Sequence, residues 1–222
     1  MRLALFDLDN TLLDGDSDYL WGEYLVELGV VDGEHYRREN QRYYEAYKAG
    51  ELDIMDFLAF ALEPLAAHPR RQLEQWRADF LERKIMDRIP TASLHLIDRH
   101  RAAGELPLII TATNRFVTEP IAQLFGVDHL LATEPEMRNG EFTGRVAGTP
   151  CFQDGKLQRL REWLDGQTAS LTEAVFYSDS RNDLPLLEAV GRAVAVNPDP
   201  ALAEIARDRG WPVMRLSVSR EG

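Results

Sequence analysis

Four short apolar runs punctuate the chain, and each ends abruptly in polar residues. Leu3-Ala4-Leu5-Phe6 leads into Asp7-Leu8-Asp9-Asn10-Thr11. Leu106 to Ile110 leads into Thr111-Ala112-Thr113-Asn114, Ala174 to Tyr177 into Ser178-Asp179-Ser180-Arg181-Asn182-Asp183, and Ala193 to Val196 into Asn197-Pro198-Asp199-Pro200. Between them, 116–125, 156–164 and 184–190 show helical patterning. Continuous apolar strands separated by helices predict an α/β fold, a parallel sheet with helices on both faces. Ligands of such sheets bind beyond the carboxyl ends of the strands. Three of the four runs carry their acidic or hydroxyl residues at that end.

The stretch from Asp14 to Arg88 breaks the alternation. Tyr19, Leu20, Tyr24 and Leu28, then Tyr43, Tyr44 and Tyr47, then Phe57, Leu58, Ala61 and Leu62 recur at helical spacing. An insertion of this length is far beyond an ordinary loop. It predicts a helical cap over 14–88, placed after the first strand so that it can close over the site. The core is then 1–13 plus 89–222, with hinges at Asp14-Gly15-Asp16 and around Ile89-Pro90. The aromatic stripe is expected to form the cap's own interior. A smaller insertion after Asp128 contains Asn139-Gly140, a strong hairpin signal, and predicts a two-stranded flap near 134–146.

Charge narrows the chemistry. The 222 residues carry a formal net charge of −12, with acids interspersed along the chain. That disfavours nucleic acid or an anionic membrane as a partner. The apolar start is interrupted at Asp7 and Asp9, so neither a membrane span nor a signal peptide is expected there. The one cysteine, Cys151, excludes an internal disulfide and fits a cytoplasmic location. With no histidine or basic residue beside it in sequence, it is not expected to act as a nucleophile.

Asp7 and Asp9 lie two residues apart at the mouth of a strand, and Asp179 and Asp183 form a second acidic pair at the mouth of another. At ~4 Å and an effective dielectric near 20, each like-charge contact costs about 4 kcal/mol. A cluster of both pairs therefore calls for a cation or a shared proton. The five histidines show no ligand spacing with one another or with Cys151, and an all-oxygen donor set favours magnesium over zinc. The plainer alternative is that Asp9 and Asp179 cap turns or helices. Thr111 offers a hydroxyl and exposed amides before a helix, suited to a phosphoryl oxygen or simply to capping. Lys156 begins a helix, where a cation opposes the dipole, as a functional lysine or a surface charge would.

Taken together, Asp7-Leu8-Asp9-Asn10-Thr11, Thr111, Lys156 and Asp179 to Asp183 resemble the four ordered motifs of the haloacid dehalogenase superfamily, and the likeness spans the chain. The insert after the first motif resembles the cap subclass that includes phosphoserine phosphatases. The resemblance implies a Rossmann-like core and a magnesium-dependent phosphomonoesterase acting on a small-molecule phosphate ester. Asp7 would be the nucleophile that becomes an aspartyl-phosphate, and Asp9 the general acid and base. Magnesium would be held by the Asp7 carboxylate, the Asp9 carbonyl and Asp179, with Asp183 gripping its waters. Thr111 and Lys156 would neutralise phosphoryl oxygens.

The departures bear on substrate. Asp16 stands where phosphoserine phosphatases typically carry an amine-reading glutamate, and Ala59 where they carry a carboxylate-binding arginine. Their second-motif serine-glycine-glycine is Thr111-Ala112-Thr113 here. Without the arginine, bidentate recognition of a carboxylate is lost, which counts against phosphoserine. Histidinol phosphate is another candidate, from the likeness to bacterial relatives described in those terms. Asp16, Thr113, Asn114, Arg115 and Arg181 are the candidate substrate contacts. A phosphoaccepting signalling domain would need neither Asp9 nor so large a cap, and a dehalogenase typically lacks Asp9 and the metal. A phosphotransferase differs only in whether water or another alcohol takes the phosphoryl group.

Overall fold

A computed structural model describes residues 2–218. Strand β1 (Leu3–Phe6) is wholly buried and lies at the centre of a seven-stranded sheet. It pairs in parallel with β2 (Leu106–Asn114) on one side and β5 (Val175–Ser178) on the other. Outside β2 come β3 (His129–Arg138) and β4 (Glu141–Ala147), and outside β5 come β6 (Arg192–Val196) and β7 (Val213–Met214). With β4 set aside, every pairing is parallel, and the strands fan out from β1 in opposite directions along the sheet. That reversal opens a crevice at the carboxyl ends of β1, β2 and β5.

Alternation along the strands divides the interior into two layers. Leu3 and Leu5 join Leu108, Ile110 and Phe176 on one face, against α7 (Asp154–Leu164), α8 (Leu184–Ala189) and α9 (Pro200–Arg209). Ala4 and Phe6 join Ile109, Val175 and Tyr177 on the other, against α5 (Thr91–Ala102) and α6 (Arg115–Leu124). Among the described residues, no helix is long and apolar enough to cross a membrane.

The insertion after β1 folds into α1 (Ser17–Glu27), α2 (Gly33–Ala49), α3 (Ile54–Ala67) and α4 (Arg70–Phe80), followed by a π-helical turn over Leu81–Ile85. Asp16, Asp32 and Asp53 start the first three helices by accepting hydrogen bonds from backbone amides of the first turn. The two connections to the core meet, with Asp14 N donating to Arg88 O at 2.9 Å.

The apolar interior of the insertion is not separate from that of the sheet. Trp21 packs its ring against Phe80 and against Phe116 of α6, with centroids 5.2 and 5.9 Å apart. Trp21, Tyr24, Leu62 and Phe80 belong to the same buried cluster as Phe6 and Ile109. Strands β3 and β4 form a hairpin turned by Asn139 and Gly140, both at positive φ. It packs on α3, where Gly144 lies against Ala66. The first half of β3 is also a sheet strand, paired from Leu108↔His129 to Ile110↔Leu131. The sequence pattern did not predict that part of the strand, nor β7.

A shared interior predicts shared unfolding. Trp21→Ala should cost about 3–5 kcal/mol, measured by urea denaturation followed by far-ultraviolet circular dichroism, in one transition. Two transitions, with the insertion melting first, would contradict a common core.

Candidate active site

The register of the sheet brings the strand-end residues together. Phe6 pairs with Ile109 and with Tyr177, and Asp7 N donates to Tyr177 O at 2.9 Å, so Asp7 emerges between Thr111 and Asp179. Asp7 is 4 % exposed and Lys156 2 %. Lys156 Nζ donates to Asp7 Oδ1 at 2.7 Å and to Asp183 Oδ2 at 2.8 Å, so this lysine is a buried bridge rather than a surface charge. Its helix is entered through Gly155, where a Cβ would collide with Pro150 O. Ser178 Oγ also donates to Asp183 Oδ2, at 2.7 Å. Asp183 therefore faces the lysine and a hydroxyl.

Thr11 marks the side of Asp7 away from the lysine. Its Oγ1 lies 3.3 Å from Asp7 Oδ2 and 3.1 Å from Asp179 Oδ1. A hydroxyl carries one proton, so it serves one carboxylate at a time. Burial raises the pKa of Asp7, against the lowering effect of Lys156, and Asp183 and Asp9 raise it further, to about 7. Burial likewise holds Asp179 well above the ordinary carboxylate range, reinforced by Asp7 and Asp183. Burial alone would lower the pKa of Lys156, but Asp183 and Asp7 reverse that and keep it charged.

Asp9 is held from both sides. Its Oδ1 accepts from Ser17 N at 2.6 Å, the first turn of α1, and its Oδ2 from Thr113 Oγ1 at 2.9 Å and Thr111 Oγ1 at 3.4 Å. Burial, then the charge of Asp16, pushes its pKa up to about 6 despite these donors. Such a value suits a group that gives and takes protons near neutrality.

These residues floor a cavity roofed by the insertion. Asp7, Asp9, Thr111 and Thr113 line it from below, and Asp16, Asp18, Asn40, Tyr44, Tyr47 and Phe57 from above. Among the described residues that line it, none is a lysine or arginine. Of the stripe, Tyr43 packs inside the insertion on Phe57 and, beside Tyr36, on Phe60. Tyr19, Tyr44 and Tyr47 face the cavity, and Tyr43 reaches its edge, because α2 turns that side toward the strand ends.

Three expected substrate contacts lie outside the cavity lining. Arg115 donates to Glu134 at 2.9 Å and to Leu130 O at 2.8 Å, which ties it to β3. Arg181 is exposed, with its guanidinium against Gly50 of the insertion and its amide donating to Asp199. Asn114 starts α6, its Oδ1 accepting from Val117 N. Asp16 does line the cavity, but its Oδ1 already accepts from Asp18 N and Tyr19 N. Cys151 is buried, and burial pushes its thiol up to about 12. Sequence reasoning did not single out Asp18, Asn40, Ser178 or Asn182 as site residues. Asn182 Nδ2 donates to Tyr47 O at 2.9 Å, tying the fourth polar turn to α2.

The donor chemistry suits a magnesium ion. Among the described residues no three His, Cys, Asp or Glu side chains converge into a ready-made metal cluster. Asp7 and Asp179 nevertheless meet at the Thr11 hydroxyl, and among the described residues Asp179 makes no ion pair, so the two offer oxygen donors to a cation. Hard oxygen donors supplemented by water are what magnesium accepts.

The model of the haloacid dehalogenase-like hydrolases matches residues 4–188, and the chain belongs to that family. It is an enzyme of the phosphatase kind within it. The chain is 42 % identical to a histidinol-phosphatase of Neisseria meningitidis, over 97 % of this chain and 99 % of that one. It is 32 % identical to a phosphoserine phosphatase of Mycobacterium tuberculosis, over 98 % of this chain and 72 % of that one. It is also similar to the crystal structure of a protein of unknown function from Bordetella pertussis, at 47 % identity and a TM-score of 0.90, covering 96 % and 97 % of the two chains.

The carboxyl groups of Asp7 and Asp179 hold their protons to higher pH in the folded protein than in the unfolded chain. Between about 3.8 and about 7 the folded state therefore binds more protons, and the cluster loses stability as pH rises. A cation bound to the deprotonated cluster offsets this. The rise in Tm on adding magnesium, read by differential scanning fluorimetry against EDTA, should be larger at pH 7.5 than at pH 5. An equal rise at both would count against a metal held by these two groups.

Proposed function

We propose that this enzyme is a magnesium-dependent phosphomonoesterase that works through phosphorylated Asp7. The observation that carries the reading is the Asp7 carboxylate, fixed at one oxygen by Lys156 and lining the floor of the same cavity as Asp9. Residues 14–88 act as the cap and the remainder as the catalytic core.

Asp7 attacks the phosphorus, the P–O bond to the substrate alcohol breaks, and Asp9 gives its proton to the departing oxygen. Water then attacks the phosphorus of the aspartyl-phosphate while Asp9 takes its proton back, releasing inorganic phosphate and restoring Asp7. Lys156 and the Thr111 hydroxyl oppose the negative charge on the phosphoryl oxygens. Magnesium, held by Asp7, Asp179 and the Asp9 carbonyl, would supply further charge neutralisation. The roof of the cavity shields the acyl phosphate from bulk water.

The alcohol half is small. Histidinol phosphate is the leading candidate, from the name of the Neisseria relative, and the absence of a basic residue among the cavity lining speaks against the carboxylate of phosphoserine.

Phosphate release from histidinol phosphate, phosphoserine and phenyl phosphate should require magnesium and be abolished by EDTA. Asp7→Asn should lose at least roughly three orders of magnitude in kcat. Label from acetyl phosphate that accumulates on Asp7 without ester hydrolysis would sink the phosphatase reading in favour of a signalling domain.

Asp9 is the donor only while protonated, and that form is lost as pH rises through about 6. Asp9→Asn should therefore cost about 10²–10⁴-fold on an alkyl ester and much less on an aryl ester, whose leaving group needs little protonation. Equal losses on both would argue against Asp9 as the acid.

A further inference from the structure

The roof of the cavity carries acceptors that nothing in the proposed phosphoryl chemistry uses. Asp18, in the first turn of α1, is half-buried and lines the cavity. Its carboxylate takes part in no hydrogen bond or ion pair among the described residues, whereas Asp9 and Asp16 are each held by donors. Asn40 of α2 is only 5 % exposed and lines the same cavity. Its Nδ2 donates to Tyr19 O at 3.1 Å, which fixes the amide and leaves Oδ1 with no donor among the described residues. Both residues line the cavity, so their free acceptors are within reach of a ligand that brings donors of its own.

The surroundings narrow what that donor can be. Tyr19 and Tyr44, with ring centroids 5.2 Å apart, stand beside these acceptors, with Phe57 also in the lining. Aromatic faces attract cations. Burial, reinforced by Asp16 and Asp9, holds the Asp18 carboxyl well above its ordinary pKa, as expected where a positive partner is missing.

We infer that Asp18 and Asn40 are specificity-determining residues that bind a protonated nitrogen on the alcohol half of the substrate and turn away a carboxylate. The inference rests on the phosphatase reading above and adds to it the chemistry of the leaving group: an amino alcohol without an acid group. The pair takes no part in proton transfer. It holds the alcohol so that its phosphate reaches Asp7, and a like-charged carboxylate meets only acceptors.

The test compares histidinol phosphate, phosphoserine and phenyl phosphate on the wild type and Asp18→Asn, with calorimetric binding of free histidinol to both proteins. The wild type should prefer histidinol phosphate to phosphoserine. Asp18→Asn should raise KM for histidinol phosphate by about 10- to 100-fold, the range of a lost charge-assisted hydrogen bond, with kcat within about threefold. Phenyl phosphate, which has no nitrogen, should lose less than about threefold in kcat/KM, which also shows that the variant is folded. Histidinol should bind the wild type at least about tenfold more tightly than the variant. Equal losses for histidinol phosphate and phenyl phosphate, or a wild type that hydrolyses phosphoserine as well as histidinol phosphate, would overturn the inference and leave the phosphatase reading standing. Histidinol binding that depends on Asp18 in a protein that hydrolyses no ester would do the reverse.

Discussion

The ammonium of Lys156, enclosed between the carboxylates of Asp7 and Asp183, is the interaction on which the site depends. A buried ion pair is expensive to desolvate and is retained only when its hydrogen bonds are well made. Here each partner comes from a different element. Asp7 follows β1, Asp183 lies in the turn after β5, and Lys156 is in the first turn of α7. The lysine therefore fixes the spacing of elements distant in sequence, and it can do so because Gly155 lets the chain pass close to Pro150. The lysine also orients the Asp7 carboxylate, leaving its other oxygen toward Thr11 and Asp179.

Around that pair the protein accumulates negative charge it cannot neutralise by itself. Asp7, Asp9, Asp16, Asp18 and Asp179 all have carboxyl groups pushed upward, each with burial as the leading cause. The proposed magnesium ion, and a substrate bringing a cation of its own, would relieve that accumulation. In the proposed reaction the floor and the roof divide the work: the floor would handle the phosphoryl group, and the roof would face the part of the substrate that leaves.

Much of the floor was legible in the sequence, because buried parallel strands are short apolar runs and the polar residues that end them must lie on one edge of the sheet. Asp7, Asp9, Thr111 and Asp179 follow from that rule alone. Lys156 was marked only by a cation at a helix start, and its burial between two acids is a product of tertiary packing. Arg115 and Arg181 lay in suggestive places, yet Glu134 and the Gly50 turn hold them elsewhere. Asp18 and Asn40 were hidden for the opposite reason. An acid in the first turn of a helix and a polar residue in an amphipathic one look ordinary, and only the folding of α2 over the strand ends gives them a role. The sheet half of β3 escaped because its apolar stretch is short and merges into a hairpin.

The two margins of the insertion are unequally fastened. Along one, Trp21 and Phe80 interlock with Phe116, and parting them would expose rings worth roughly 2–3 kcal/mol apiece to water. Along the other, α2 meets the core more sparsely, through the Asn182–Tyr47 hydrogen bond and one ring contact of Tyr47 with Phe152, centroids 6.1 Å apart. If the insertion works as the proposed cap, such an attachment would let it move like a page bound at its spine. Molecules entering or leaving would pass under the tyrosine-bearing free edge, beside Asp179, without the greasy seam ever opening.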